Sequence, residues 1–122
     1  MQQKQNQAAI GQKCIDIISA AGLFEGEGSI FTASHQPHKR HLCLTSTDKD
    51  VMFNFVGTVG YGRVMGPYGP YNRSNNKLPY YKWDISEPTE VLRILKLFLP
   101  YLGNRRTEKA IEAICFLNEI TN

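Results

Sequence analysis

The chain has 122 residues, a length that fits one domain and can bury a core without disulfides or a structural metal. Hydrophobic residues make up 42% of it, yet no apolar run approaches the roughly 20 residues that a membrane span requires. The net charge is only +3, the first residues carry no secretory signal, and the three cysteines are widely spaced. These features argue against a membrane protein, and we expect a soluble intracellular protein with reduced thiols.

The predicted elements follow the order α-β-β-α-β-β-α-α. Apolar residues at spacings of three and four predict a helix from about Ala8 to Phe24, which ends at two glycines, Gly26 and Gly28. The other predicted elements, in chain order, are strands 29–34 and 39–47, a helix over 50–56, strands 63–65 and 80–85, and helices over 86–99 and 105–120. This order predicts an α+β fold, with a four-stranded antiparallel sheet and helices on one of its faces.

Local signals mark the ends of several predicted elements. Gln36-Pro37-His38 predicts a hairpin turn, and Thr47-Asp48 and Ser86 are predicted to cap the helices that follow them. The glycine-rich segment from Gly57 to Gly62 should end the second helix. Gly66–Pro79, which is rich in proline, glycine and asparagine, is predicted to be a long loop.

One face of the predicted sheet should be open and basic. Strand alternation turns one set of apolar residues towards the helices: Ile30, Leu42, Leu44, Val64, Trp83 and Ile85. From Val51 to Trp83 there is no acidic residue, although four basic ones are present. A basic surface on an open sheet indicates a polyanionic partner, but the charge alone favours an ordinary, mildly basic solvated surface.

The segment from Ala20 to Gly28 joins the first helix to the first strand. Gly22 and Gly26 are four residues apart and share a helix face, where small side chains would let a second helix approach closely. Glu25 and Glu27 lie at the end of the helix, where its dipole disfavours a carboxylate unless a cation compensates. Mg²⁺ accepts oxygen ligands of this kind. The alternative is a helix end with two solvated glutamates.

This segment resembles the LAGLIDADG motif of homing endonucleases. Ala20-Ala21 stands at the Leu-Ala of the motif, Gly22-Leu23-Phe24 at Gly-Leu-Ile, and Glu25-Gly26-Glu27-Gly28 at Asp-Ala-Asp-Gly. The resemblance continues along nearly the whole chain, in 29–31, 42–48, 80–85 and 99–102 followed by Arg105-Arg106. It implies a single LAGLIDADG-type domain over residues 1–122, with 1–7 flexible.

The resemblance also implies an activity, a sequence-specific endonuclease that makes a metal-dependent staggered double-strand cut. The second acidic residue of the motif binds the metal in that family, which implies that Glu27 binds Mg²⁺, or Mn²⁺ or Ca²⁺ at the same site. Arg105, or Arg106 if the register is off by one, would stabilise phosphate charge, because an arginine cannot act as a base. Ser46 would lie near the attacking water. Arg105 as a surface charge and Ser46 as a structural residue are the alternatives.

Such enzymes use two motifs, and this chain has one. The resemblance therefore implies a homodimer on a palindromic or pseudo-palindromic double-stranded DNA site. Its interface would be formed by Ala21, Gly22, Glu25 and Gly26.

The DNA contacts are expected on the open face of the sheet and in its loops. The predicted contact residues are His35, His38, Lys39, Arg40, His41, Thr45, Arg63, Tyr71, Arg73, Lys77, Lys82 and Asp84. The three histidines would also suit zinc, but no fourth ligand is evident. The rival function is a DNA- or RNA-binding module of the same fold without nuclease activity, either a maturase or a regulator.

Overall fold

The computed structural model of the chain describes residues 16–69 and 78–121. Helix α1 occupies residues 16–27 of this part. The elements that follow are β1 (Ser29–Phe31), β2 (His41–Ser46), α2 (Lys49–Val59), β3 (Met65–Tyr68), β4 (Tyr80–Ile85), α3 (Pro88–Phe98), a 3₁₀ turn (Leu99–Tyr101) and α4 (Asn104–Thr121). The predicted order of helices and strands is confirmed. None of the described helices is long and apolar enough to cross a membrane.

The four strands form one antiparallel sheet in the order β1-β2-β4-β3. The central pair is β2 with β4, in which Leu42 lies opposite Ile85 and Leu44 opposite Trp83. Since these four residues are all buried, the register brings the apolar side chains of both strands to the same side of the sheet. The predicted α+β fold, with helices on one face, is therefore confirmed.

The core lies between this face of the sheet and the helices. Trp83 is fully buried at its centre, with its ring edge-on to Phe55 at 4.9 Å between centroids. The indole N–H donates a hydrogen bond to the backbone oxygen of Tyr61 at 2.8 Å, so burial leaves no polar atom of this side chain unpaired. No charged or polar residue is buried in the described part of the chain. The polar and charged residues that could bind a ligand therefore lie outside the core.

The third strand begins later than predicted. It runs from Met65 to Tyr68 and pairs with β4, Met65 lying opposite Lys82 and Tyr68 opposite Tyr80. The sequence of this strand, Met-Gly-Pro-Tyr, contains two residues that usually interrupt strands, which is why a loop was predicted there. Pairing at the edge of the sheet compensates, because an edge strand needs hydrogen bonds on one side only. Arg63 consequently precedes the strand.

Two predicted helix ends also differ. Helix α2 continues through Gly57 and ends at Gly60, which adopts a left-handed conformation with φ of 81°. At the start of α3 the cap is Glu87 and not Ser86, because the Glu87 carboxylate accepts hydrogen bonds from the N–H groups of Thr89 and Glu90. The predicted cap at Asp48 is confirmed by its hydrogen bond from the Val51 N–H at 3.1 Å.

Candidate metal centre and nucleic-acid interface

The end of α1 is packed tightly against the core. Phe24 is fully buried, with its ring 5.5 Å from that of Phe98. Directly beyond the helix, a Cβ on Gly28 would lie 2.3 Å from the ring of Phe24, so only glycine fits there. The Gly28 N–H donates to the Phe24 oxygen at 2.8 Å and completes the last turn. These contacts fix the backbone around Glu27, whose side chain is exposed.

An arginine from α4 holds the same helix end. Arg106 Nε donates to the backbone oxygen of Glu25 at 2.6 Å and lies 3.6 Å from its carboxylate Oε2. A cation is favourable there, since the free carbonyl groups of a helix end carry negative partial charge. The Glu25 carboxylate packs over Gly103, where a Cβ would lie 2.7 Å from Oε1. The end of α1 is thereby joined to the start of α4.

We expect Arg106→Ala to lower the free energy of unfolding by about 1 to 3 kcal/mol, because the Glu25 carbonyl and the buried oxygen of its carboxylate would lose their charged partner. The neighbouring Arg105 is exposed and provides the matched control, with an expected change within about 0.5 kcal/mol for Arg105→Ala. Urea unfolding followed by circular dichroism measures both changes. Equal losses for the two variants would contradict this role of Arg106.

Glu27 has the chemistry of a metal ligand, but no complete site is formed around it by the described residues. Its exposed carboxylate is a hard oxygen donor of the kind that Mg²⁺ and Ca²⁺ accept. Residues 16–69 and 78–121 contain no group of three or more His, Cys, Asp or Glu residues that could hold a metal ion. The donor set therefore fits a divalent cation if further oxygens come from another molecule, such as a second chain or a phosphate backbone.

A cleft of about 400 Å³ lies beside the end of α1, between the start of β1 and the start of α4. It is lined by Glu25, Gly28, Ser29, Ile30, Arg105, Arg106 and Lys109. Arg106 pairs with Glu25, whereas Arg105 and Lys109 are exposed and form no ion pair with a described residue. The sequence analysis did not select Lys109. Lys109 lies four residues after Arg105 and therefore on the same face of the predicted helix, and this spacing could have identified it.

The structure does not support a catalytic role for Ser46. Its hydroxyl oxygen accepts a hydrogen bond from the Asp48 N–H at 3.0 Å and so shapes the turn into α2. Alternation along β2 also directs Ser46 to the same side as Leu42 and Leu44, the side that the helices cover. The structural alternative therefore explains this residue.

The open face of the sheet carries the polar residues that alternation predicts. His41 lies opposite Phe31, Asp84 opposite Cys43, and Lys82 opposite Thr45. The helix-facing residues are buried, apart from Val64, which is partly buried against the core. His35 and His38 are exposed and Lys39 half-buried in the β1–β2 connection, and Arg63 is exposed before β3. Tyr71, Arg73 and Lys77 lie outside the described residues.

Arg40, one of the predicted DNA contacts, is engaged by α4 in the structure. Its guanidinium forms two hydrogen bonds with the Glu112 carboxylate, at 2.6 and 3.2 Å, and lies 3.9 Å from the ring centroid of Phe116. Both partners belong to α4, and only 11% of the Arg40 side chain is exposed. Arg40 therefore attaches the β1–β2 connection to α4.

This ion pair makes stability depend on pH. The hydrogen bond from Arg40 holds the pKa of Glu112 below its ordinary value. A depressed pKa in the folded state stabilises the fold above the unfolded value of about 4.3, and that contribution is lost as the pH falls further. Because the Glu112 side chain is 59% exposed, we expect a contribution of at most about 1 kcal/mol. Urea unfolding at pH 3 and pH 7 should show a smaller pH dependence for Glu112→Gln than for the exposed control Glu119→Gln.

One exposed stripe on α1 consists of Ile18, Gly22 and Gly26, each four residues from the next. A Cβ at either glycine would meet nothing within 4 Å, so the surface is flat and accessible. Two residues of the predicted dimer interface, Ala21 and Glu25, are not part of this stripe. Ala21 is fully buried in the core, and Glu25 is turned towards Arg106 of the same chain.

Comparisons with known proteins identify the fold. Neither a protein-family model nor a curated protein sequence matches the chain. Among solved structures, the homing endonuclease I-CvuI, in complex with its target, superposes with a TM-score of 0.68 at 16% identity, over 91% of this chain and 71% of that one. The archaeal intron-encoded homing endonuclease I-Vdi141I with DNA gives 0.58 at 17% identity, over 84% and 66% of the two chains. The LAGLIDADG homing endonuclease I-GzeII with its DNA target gives 0.60 at 19% identity, over 83% and 35%. The chain therefore has the fold of the LAGLIDADG homing endonucleases.

Proposed function

We propose that this chain is a LAGLIDADG-type homing endonuclease, which binds double-stranded DNA on the open face of its sheet and cuts it sequence-specifically. The observation that carries the proposal is the exposed carboxylate of Glu27 at the end of the motif helix, beside a cleft with two exposed cations, Arg105 and Lys109. A metal ion would complement the carboxylate, and a phosphate group would complement the two cations of the cleft. The fold it shares with I-CvuI, which was solved in complex with its target, supports the same function.

In this proposal Glu27 holds a divalent cation, Mg²⁺ for cutting. Such a cation would supply positive charge to polarise a scissile phosphate and to favour deprotonation of the attacking water. I-CvuI structures were determined in the presence of Ca²⁺ and of Mg²⁺, the latter with uncleaved DNA, and these conditions are compatible with a divalent cation site. Arg105 and Lys109 would stabilise the negative charge that develops on the phosphate, because both carry fixed positive charges. Two such metal sites, each cutting one strand, would produce a staggered double-strand cut.

Two copies of the chain would form the active unit. Each chain has one motif and one Glu27, whereas a double-strand cut needs two sites. The stripe of Ile18, Gly22 and Gly26 supports a contact between the two α1 helices, because its flat surface allows close approach. Helix pairing along this stripe would bring both Glu27 residues near the twofold axis. A palindromic or pseudo-palindromic site would match this symmetry.

Cleavage selection tests the proposal. The purified chain is incubated with a library of randomised palindromic DNA in Mg²⁺, with EDTA as the control, and the ends of the products are sequenced. We expect one family of related sites, with matching overhangs, in Mg²⁺ only. DNA that is bound selectively but never cut would overturn the nuclease proposal and favour the inactive binding module.

A further inference from the structure

We propose that Asp84 and Lys82 together recognise one C·G base pair in the major groove, with the Asp84 carboxylate accepting from the cytosine amino group. The inference rests on the proposed function, since it assumes that the open face of the sheet lies against DNA. It adds to that function a base identity for one position of the target.

Asp84 is unexpected on this surface. It is the one acidic residue in the four described strands, and its neighbours on the open face include His41, Thr45 and Lys82. A carboxylate facing DNA is repelled by the phosphates, so a surface that only binds the backbone gains nothing from it. A carboxylate is useful on such a surface where base edges offer hydrogen-bond donors.

The Asp84 carboxylate lies close to His41 and Lys82 but keeps its capacity to accept hydrogen bonds. Its Oδ1 lies 3.6 Å from His41 Nδ1, and its Oδ2 lies 3.7 Å from Lys82 Nζ. Both separations are longer than a hydrogen bond, and neither oxygen accepts one from a described residue. Because 25% of the side chain is exposed, a ligand can approach it from the open side of the sheet.

The His41 ring, which lies 3.6 Å from Asp84, is itself held by its neighbours and so limits the positions open to the carboxylate. Its Nε2 is 3.0 Å from Oε1 of Gln36, and its ring stacks on Phe31 with 5.0 Å between centroids and 11° between planes. Only 13% of the side chain is exposed. A polar group that is positioned before the ligand arrives loses less conformational freedom on binding, which favours selective recognition.

The pattern of donors and acceptors selects the base pair. Guanine and thymine present only acceptors in the major groove, which a carboxylate disfavours, and adenine places its N7 acceptor beside its amino group. Cytosine presents an amino donor alone, and its guanine partner presents two acceptors next to it. A carboxylate beside an ammonium group is the complement of this edge, with Asp84 towards cytosine and Lys82 towards guanine.

The test compares binding selections on the randomised library for the wild-type chain and Asp84→Asn, with Ca²⁺ replacing Mg²⁺ to slow cutting. We expect the wild type to prefer cytosine at one position of each half-site. Asparagine pairs with adenine through its amide, so the preference in Asp84→Asn should move to adenine there, by about tenfold or more. Lys82→Met should weaken selection at the same base pair without moving it to adenine.

The control is Asp50→Asn, which makes the same change of charge on the exposed surface of α2. It should leave the preferred bases unaltered. If the wild type selects a site but Asp84→Asn prefers the same bases, or if no cytosine is preferred at all, the recognition by Asp84 is wrong and the DNA-binding function stands. A wild-type chain that selects no DNA sequence would overturn both.

Discussion

Glu27→Gln should abolish cutting in Mg²⁺, reducing the rate by at least about a thousandfold, while DNA affinity in Ca²⁺ changes by less than about tenfold. The amide keeps the shape of the side chain but removes the negative charge that would hold the cation. DNA affinity should persist, because in the proposed function it comes from the sheet face and the basic residues and not from Glu27. Cleavage of a selected site on a gel, together with a binding titration, separates the two effects.

A matched control shows whether the loss belongs to this carboxylate. Glu119→Gln makes the same change at an exposed position near the end of α4, 10 residues beyond Lys109, the last residue that lines the cleft. We expect it to cut at the wild-type rate. Wild-type cutting by Glu27→Gln would remove the metal role from this residue, and loss of binding together with cutting would point to a structural role.

Gly22→Leu should separate the effects of the proposed dimer from those of the fold. Within one chain the new side chain meets open space, and leucine is a better helix former than glycine, so we expect the monomer to be as stable or up to about 1 kcal/mol more stable. Between two chains the same side chain would hold the α1 helices apart. The dissociation constant of the dimer should rise by at least about a hundredfold, which corresponds to roughly 3 kcal/mol, and double-strand cutting should fall with it.

Sedimentation at micromolar concentration and urea unfolding measure the two properties separately. Glu119→Leu places the same side chain on an exposed surface of α4 and should remain dimeric. A wild-type chain that is monomeric at this concentration would contradict the homodimer. If Gly22→Leu still dimerises fully, the contact between subunits does not run through this stripe of α1.

The order of the elements and the two faces of the sheet could be predicted from the sequence, because both follow from local patterns. Alternation with a period of two is enough to assign Leu42 and Leu44 to the buried face and His41 to the open one. Strand β3 begins two residues later than predicted, because the glycine and proline in it are typical of a loop. Only pairing with β4 makes this segment a strand. Its position therefore depended on a partner that local patterns do not specify.

For the candidate site, too, some features follow from the sequence and others only from the tertiary structure. The sequence alone determined that the Glu27 carboxylate lies at the end of the motif helix and that Gly22 and Gly26 share a helix face. Both relations depend only on neighbours within a few residues. The tertiary structure alone decided which arginines remain available. Arg106 meets Glu25 across 81 positions and Arg40 meets Glu112 across 72, contacts that long side chains make only after the chain has folded. Arg105 and Lys109 are exposed at the cleft beside the end of α1, and neither forms an ion pair with a described residue. We propose that Glu27 provides half of a site that a second chain completes.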